Sequence, residues 1–136
     1  MSKQVQAIAK GVRSSPRKVS EVAALVRNRS VADALVILEH VQRKAAIPVR
    51  KAIESAKANA TYNHNVKEET LMLAEVNVTA GPRIKRFRPA AHGRALPFQR
   101  KTTHIKIIVE GQERPAKKPV KKAETKPVVK TAKESK

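Results

Sequence analysis

Apolar residues recur every three to four positions in three successive stretches of the chain, and at every second position in three others. Val19, Val22, Ala23 and Val26 follow Ser15-Pro16, a hydroxyl N-cap and a proline at the first helical position, and Arg27-Asn28-Arg29 ends this first helix. Ser30 opens a second helix, with Asp33 three residues on as in a capping box, and Val31, Ala34, Leu35, Leu38 and Val41 form its apolar stripe. A third helix is predicted from about Arg43 to Asn63. It is lined by Val49, Ala52, Ile53, Ala56 and Ala60, and Pro48 is tolerable only in its first turns.

The strand-like stretches are shorter. Gln4–Ala9 alternates imperfectly and is rich in Ala, a weak strand former. In 71–79, a regular alternation puts Met72, Ala74, Val76 and Val78 on one face and Leu71, Leu73, Glu75, Asn77 and Thr79 on the other. In 99–110, Ile105, Ile107 and Val109 share a face. The expected fold is α+β. A small three-stranded antiparallel sheet packs with three helices, and a long β-hairpin protrudes at about 76–109. The domain spans 1–110, and the basic segment 111–136 has too little apolar surface to order alone.

Residues 76–109 have neither period through their middle. They hold eight Lys or Arg and no Asp or Glu, and Pro82, Pro89 and Pro97 forbid a helix there. The whole chain has 136 residues, 30 Lys plus Arg against 11 Asp plus Glu, and a net charge of +19. Such charge predicts attraction to a polyanion. Between Arg83 and Lys101, Arg outnumbers Lys five to two, and guanidinium groups pair with phosphate through two hydrogen bonds. The candidate RNA-binding residues of this stretch are Arg83, Lys85, Arg86, Arg88, Arg94, Arg100 and Lys101. A second basic cluster, Arg13, Arg17 and Lys18, stands at the first helix start, where free N–H groups attract phosphate and Ser14 and Ser15 add to that.

Other chemistry is scarce. There is no Cys, and His40, His64, His92 and His104 lack metal-ligand spacing. Glu68-Glu69 faces no convergent base, and no Gly-rich phosphate loop follows a strand. No cofactor, metal or catalytic step is expected. No apolar run is long enough to span a membrane or to serve as a signal peptide, so the cytoplasm is the expected compartment. The three aromatics, Tyr62, Phe87 and Phe98, favour backbone and shape recognition over single-strand stacking platforms. Composition leaves open a DNA-compacting protein, suggested by the Lys/Ala/Pro tail, and an RNA-modifying enzyme, which lacks any convergent acid, base or nucleophile.

Three motifs narrow this. Gly81-Pro82-Arg-Ile-Lys-Arg-Phe-Arg-Pro89, Gly93-Arg94-Ala95 and Arg100-Lys-Thr-Thr-His104-Ile105 together resemble the hairpin signature of bacterial large-subunit ribosomal protein twenty-two. Ser15-Pro16-Arg17-Lys18-Val19 is similar to that family's first-helix motif, and Lys44-Ala45-Ala46 and Ser55-Ala-Lys-Ala-Asn59-Ala60 with Asn63 to its third. The resemblance covers about residues 5–110. It implies a structural constituent of the large subunit that binds 23S ribosomal RNA, supports assembly, and lines the nascent-peptide exit tunnel with its hairpin tip. The implied partners are that RNA, neighbouring large-subunit proteins and, transiently, the nascent peptide, with neither a membrane nor a second copy of the chain. Carried over by motif, Thr102 and His104 join the RNA-facing set on the returning strand, and Pro89, Ala90, Ala91, His92 and Gly93 form the tunnel tip. Ala90, His92 and Leu96-Pro97-Phe98 make this tip less cationic than the family's usual one, and Pro48 is unusual in its third helix.

Overall fold

The computed structural model describes residues 2–113; the expectation for the basic segment falls, from residue 114 onward, outside them. Strand β1 is Ser2–Val12, helix α1 Pro16–Val26, helix α2 Val31–His40 and helix α3 Ala46–Ala58. Strands β2 Met72–Ala80, β3 Ile84–Pro89, β4 Ala95–Arg100 and β5 Thr103–Gln112 follow. β5 is the central strand of an antiparallel sheet ordered β1-β5-β2, and β3 and β4 form a separate two-stranded ribbon. The α+β architecture with a protruding hairpin is as expected.

The helices form where local spacing and caps agree. Val19, Val22, Ala23 and Val26 are all buried. The Ser30 hydroxyl accepts the Asp33 N–H at 3.1 Å, so the second start signal works as a cap. The first works differently. Ser15 occupies the N-cap position with Pro16 next, but its hydroxyl makes no cap hydrogen bond, and its carbonyl takes the Val19 N–H. α1 ends at Arg27, and Asn28 turns the chain at φ 57°. α3 begins at Ala46, three residues later than expected. This start keeps Pro48 in the first turn, where its missing N–H leaves no bond unmade. The last turn widens into a π-helical turn at Asn59–Asn63.

α3 lies over β1 and β5, α1 over β2, and α2 packs on α3. Between them lies one core that includes Val19, Val26, Val49, Ile53, Leu71, Leu73, Val76, Ile105, Ile107 and Val109. Eight of its members are alanines at the helix contacts or on β1, among them Ala34, Ala52, Ala56 and Ala60. Small side chains there let the backbones approach closely.

Strand β2 corrects the simple alternation. Leu73 pairs with Val109, but Glu75 pairs with Ile108 and Val76 with Ile107, so Ala74 is an extra residue. This β-bulge resets the phase. Leu71, Leu73 and Val76 are buried together, while Met72 is half exposed. A regular strand would have put Leu73 and Val76 on opposite faces. A second irregularity, in β1 between Ala9 and Val12, includes Gly11 at φ 70°.

Candidate nucleic-acid interface

The predicted single returning strand is two. β5 ends its pairing with β2 at Ala80–Thr103, Gly81 then donates to the Thr102 carbonyl at 2.9 Å, and the β3–β4 ribbon begins at Ile84–Arg100. Pro82 and Arg83 therefore stand opposite Lys101 alone. Such a bulge increases local twist and re-aims what lies beyond it. Six-residue strands carry the ribbon about 20 Å past this root.

The ribbon tolerates its prolines because of where they fall. Pro89 pairs with Ala95 and Phe87 with Pro97. Both prolines sit at the same phase of the ladder, and the neighbouring Ala90 N–H donates to the Arg94 carbonyl at 2.8 Å. Hydrogen-bonded and non-hydrogen-bonded pairs alternate in an antiparallel ladder. Pro89 and Pro97 therefore occupy positions from which no N–H is required. The tip, 90–94, closes through a short turn at Ala91–Gly93, with His92 at φ 58° and Gly93 at φ 69°. Two consecutive left-handed residues suit Gly, and His adopts this region more readily than bulkier residues.

Register divides the charge run between two faces. Ile84, Arg86, Arg88, Leu96, Phe98 and Arg100 share one. There the Arg88 guanidinium lies 5.1 Å from the centre of the Phe98 ring, a cation–π contact that steadies both. Lys85, Phe87, Pro89, Ala95, Pro97 and Gln99 share the other, whose only charge is Lys85.

From Pro82 to Pro89 every residue is exposed. The hairpin stretch contains no acid, and none of its Arg or Lys side chains forms a salt bridge among the described residues. The paired carboxylates serve cations of the body instead. Glu21 takes Arg43 at 2.5 Å, Glu54 and Glu39 hold Arg50 at 2.9 and 3.6 Å, and Lys57 pairs with Glu68. Glu54 and Glu39 raise the Arg50 pKa above its ordinary value, first through the Glu54 hydrogen bond.

The two basic clusters, far apart in sequence, meet at the root. A groove of about 280 Å³ is lined by Arg13, Ser14, Ser15, Ile84, Gln99, Arg100, Lys101 and Thr102. A second, of about 210 Å³, is lined by Ser15, Pro16, Arg17, Ala80, Gly81, Arg83, Lys101 and Thr102. The join is made from inside: the buried Thr103 hydroxyl donates to the Ser14 carbonyl at 2.7 Å. Gln99 is a groove residue that charge counting missed, since it is not ionisable.

The remaining candidates are dispersed. Lys18 is exposed on the first turn of α1, outside both grooves, and Arg94 stands at the tip. Thr102 is buried and its hydroxyl donates to the Pro82 carbonyl at 2.6 Å, so its polar group is engaged within the protein. His104 is half-buried, with Nδ1 accepting the Gly11 N–H at 3.0 Å. Among the described residues, no group of three or more His, Cys, Asp or Glu could hold a metal, and no helix is long and apolar enough to cross a membrane.

The family model for ribosomal protein L22p/L17e matches residues 7–110. A large ribosomal subunit protein uL22 from Oceanobacillus iheyensis is 43% identical over 106 residues, 78% of this chain and 94% of that protein. A uL22 from Clostridioides difficile is 43% identical over 107 residues, covering 79% and 96%, and one from a Synechococcus strain is 44% identical over 108 residues, covering 79% and 87%.

Proposed function

The chain belongs to the ribosomal protein L22p/L17e family, and from that premise we propose that its hairpin and root grooves bind 23S ribosomal RNA. As a family member it is a structural constituent of the large ribosomal subunit, in the cytoplasm, and not an enzyme. The RNA-modifying and DNA-compacting alternatives lose their support with that membership.

The observation that carries the RNA reading is the set of cations between Arg83 and Lys101 that make no salt bridge among the described residues. They stand on a ribbon that adds nothing to the core, beside Arg13 and Arg17. A fold gains no stability from such a device, and a phosphate-lined partner neutralises its self-repulsion. In this reading Arg13, Ser15, Arg17, Arg83, Arg100 and Lys101 grip backbone phosphates at the root. Arg86 and Arg88 do so along one ribbon face, and Lys18, Lys85, Arg94 and His104 add contacts around them. Thr102 acts indirectly, by holding the root closed. The tip, Pro89 to Gly93, reaches the exit tunnel, where nascent peptide passes, and neighbouring large-subunit proteins flank the body. Binding is driven in part by counterion release.

The test is co-sedimentation of the full chain with large subunits in high salt, with 23S transcript binding measured across salt concentrations. If eight phosphates are neutralised, log affinity falls against log salt with a slope of about −7. A flat slope, or a chain that stays wholly in the free fraction, refutes the reading. Equal competition by duplex DNA would restore the DNA-compacting alternative.

A further inference from the structure

The hairpin carries two phenylalanines, and the fold treats them oppositely. Phe98 is half-buried with Arg88 over its ring, on the cationic face. Phe87 lies on the other face, 72% exposed, opposite Pro97. One step toward the root on that same face stand Lys85 and Gln99, also opposite each other. Gln99 in turn lines the basic groove with Arg13, Arg100 and Lys101. One ribbon face thus carries an amide and an ammonium next to an uncovered aromatic ring, and its Gln99 borders the cationic groove.

We infer that Phe87 and Pro97 form a stacking site for one unpaired RNA base, with Gln99 at the base edge and Lys85 on its phosphate. This rests on the ribosomal-RNA reading above and adds a base contact to it. The chemistry of this face selects the ligand. An exposed ring stacks on any base. A planar amide carries a donor and an acceptor that can match a base edge. The Lys85 ammonium, with the basic groove that Gln99 borders, favours an anion nearby, which a nucleotide brings with it. Size argues against a protein occupant: a stable protein interface takes about 800 Å² from each partner, far more than one ring, one proline and two polar chains on a six-residue ribbon provide. The position is also a local exception to backbone-and-shape recognition, because the aromatic is displayed by register and not by composition.

The test is chemical probing of a 23S transcript bound to the full chain, reading methylation of base edges and reactivity of the sugars. Wild type should protect at least one unpaired base. Phe87→Ala should restore that base's reactivity and weaken binding about tenfold or more, within the range for a lost base–aromatic stack. Phe87→Tyr should keep the protection. Arg88→Ala should weaken binding and leave that base covered. The inference is overturned if Phe87→Ala gives the wild-type footprint, or if wild type protects only sugars and phosphates. Wild type failing to bind the transcript would strike the RNA reading itself, and this site with it.

Discussion

The hydroxyl of Thr102 donates to the carbonyl of Pro82 across the hairpin root, at 2.6 Å. With the Gly81 N–H on the Thr102 carbonyl at 2.9 Å, it fastens the two strands where the body's ladder stops and the ribbon's begins. Thr102→Val removes the donor at nearly constant shape and should cost about 1 kcal/mol. Chemical denaturation would read that loss, and hydrogen exchange should show faster opening at Gly81. Thr102→Ser should restore both.

Gly81→Ala should be worse than Thr102→Val. A Cβ there would lie 2.5 Å from Thr102 Oγ1 and 3.2 Å from the Thr102 carbonyl carbon and His104 Nε2. Thr102 must give up its bond or the strands must part, a loss of about 1–3 kcal/mol. In a double-mutant cycle with Thr102→Ala, the two losses should sum to more than the double variant shows, since the removed oxygen is the main obstacle.

Deleting Ala74 should be tolerated. The bulge places Ala74 and Glu75 together outside the core, so its removal leaves Leu71, Leu73 and Val76 on their present faces. Stability should stay within about 1 kcal/mol of wild type, as for an ordinary surface change. Deleting Asn77 instead should turn Val78 outward and cost more. Equal losses in the two deletion variants, by denaturant melts, would contradict the bulge assignment.

Glu113 should titrate below the usual carboxylate range. Lys3 holds it there at 2.9 Å, first through the hydrogen bond and then through its charge. A lowered folded-state pKa contributes stability that is present above the unfolded value and lost as pH falls through the folded one. The tie between the ends of β1 and β5 should therefore hold at neutral pH and fade below the ordinary glutamate pKa of about 4.3. NMR titration should show the Glu113 pKa rising toward that value in Lys3→Met.

Arg100→Ala should weaken transcript binding and reduce the salt slope by about one, the mark of a lost phosphate contact. Arg50→Ala should leave the slope unchanged, because Glu54 and Glu39 already occupy that guanidinium. A slope that moved equally in both would mean that net charge, not the hairpin, governs binding.

Local signals carried the helices. Helical periodicity and the Ser30 cap depend on neighbours three or four residues away, so α1 and α2 were legible from Val19 and Ser30 onward. Where a proline had to be accommodated, as at Pro48, the sequence placed the helix and not its first residue. The faces of β2 were misread for an equally physical reason. One inserted residue at Ala74 leaves no mark in an alternating string, since the pairing partner that exposes it lies on β5. The ribbon's register did leave a trace: Pro89 and Pro97, lacking N–H groups, had to share a ladder phase.

By itself the chain determined its charge, its acid-free excursion, its helix-forming stripes and a family signature, all properties of residue type and short spacing. Tertiary structure alone decided which charges act together. Arg13 meets Arg100 in one groove because antiparallel pairing through β5 returns the hairpin beside α1, and the buried Thr103 hydroxyl binds the Ser14 carbonyl there. It also decided that Phe87 is open while Phe98 is capped, since strand pairing assigns alternate residues to opposite faces.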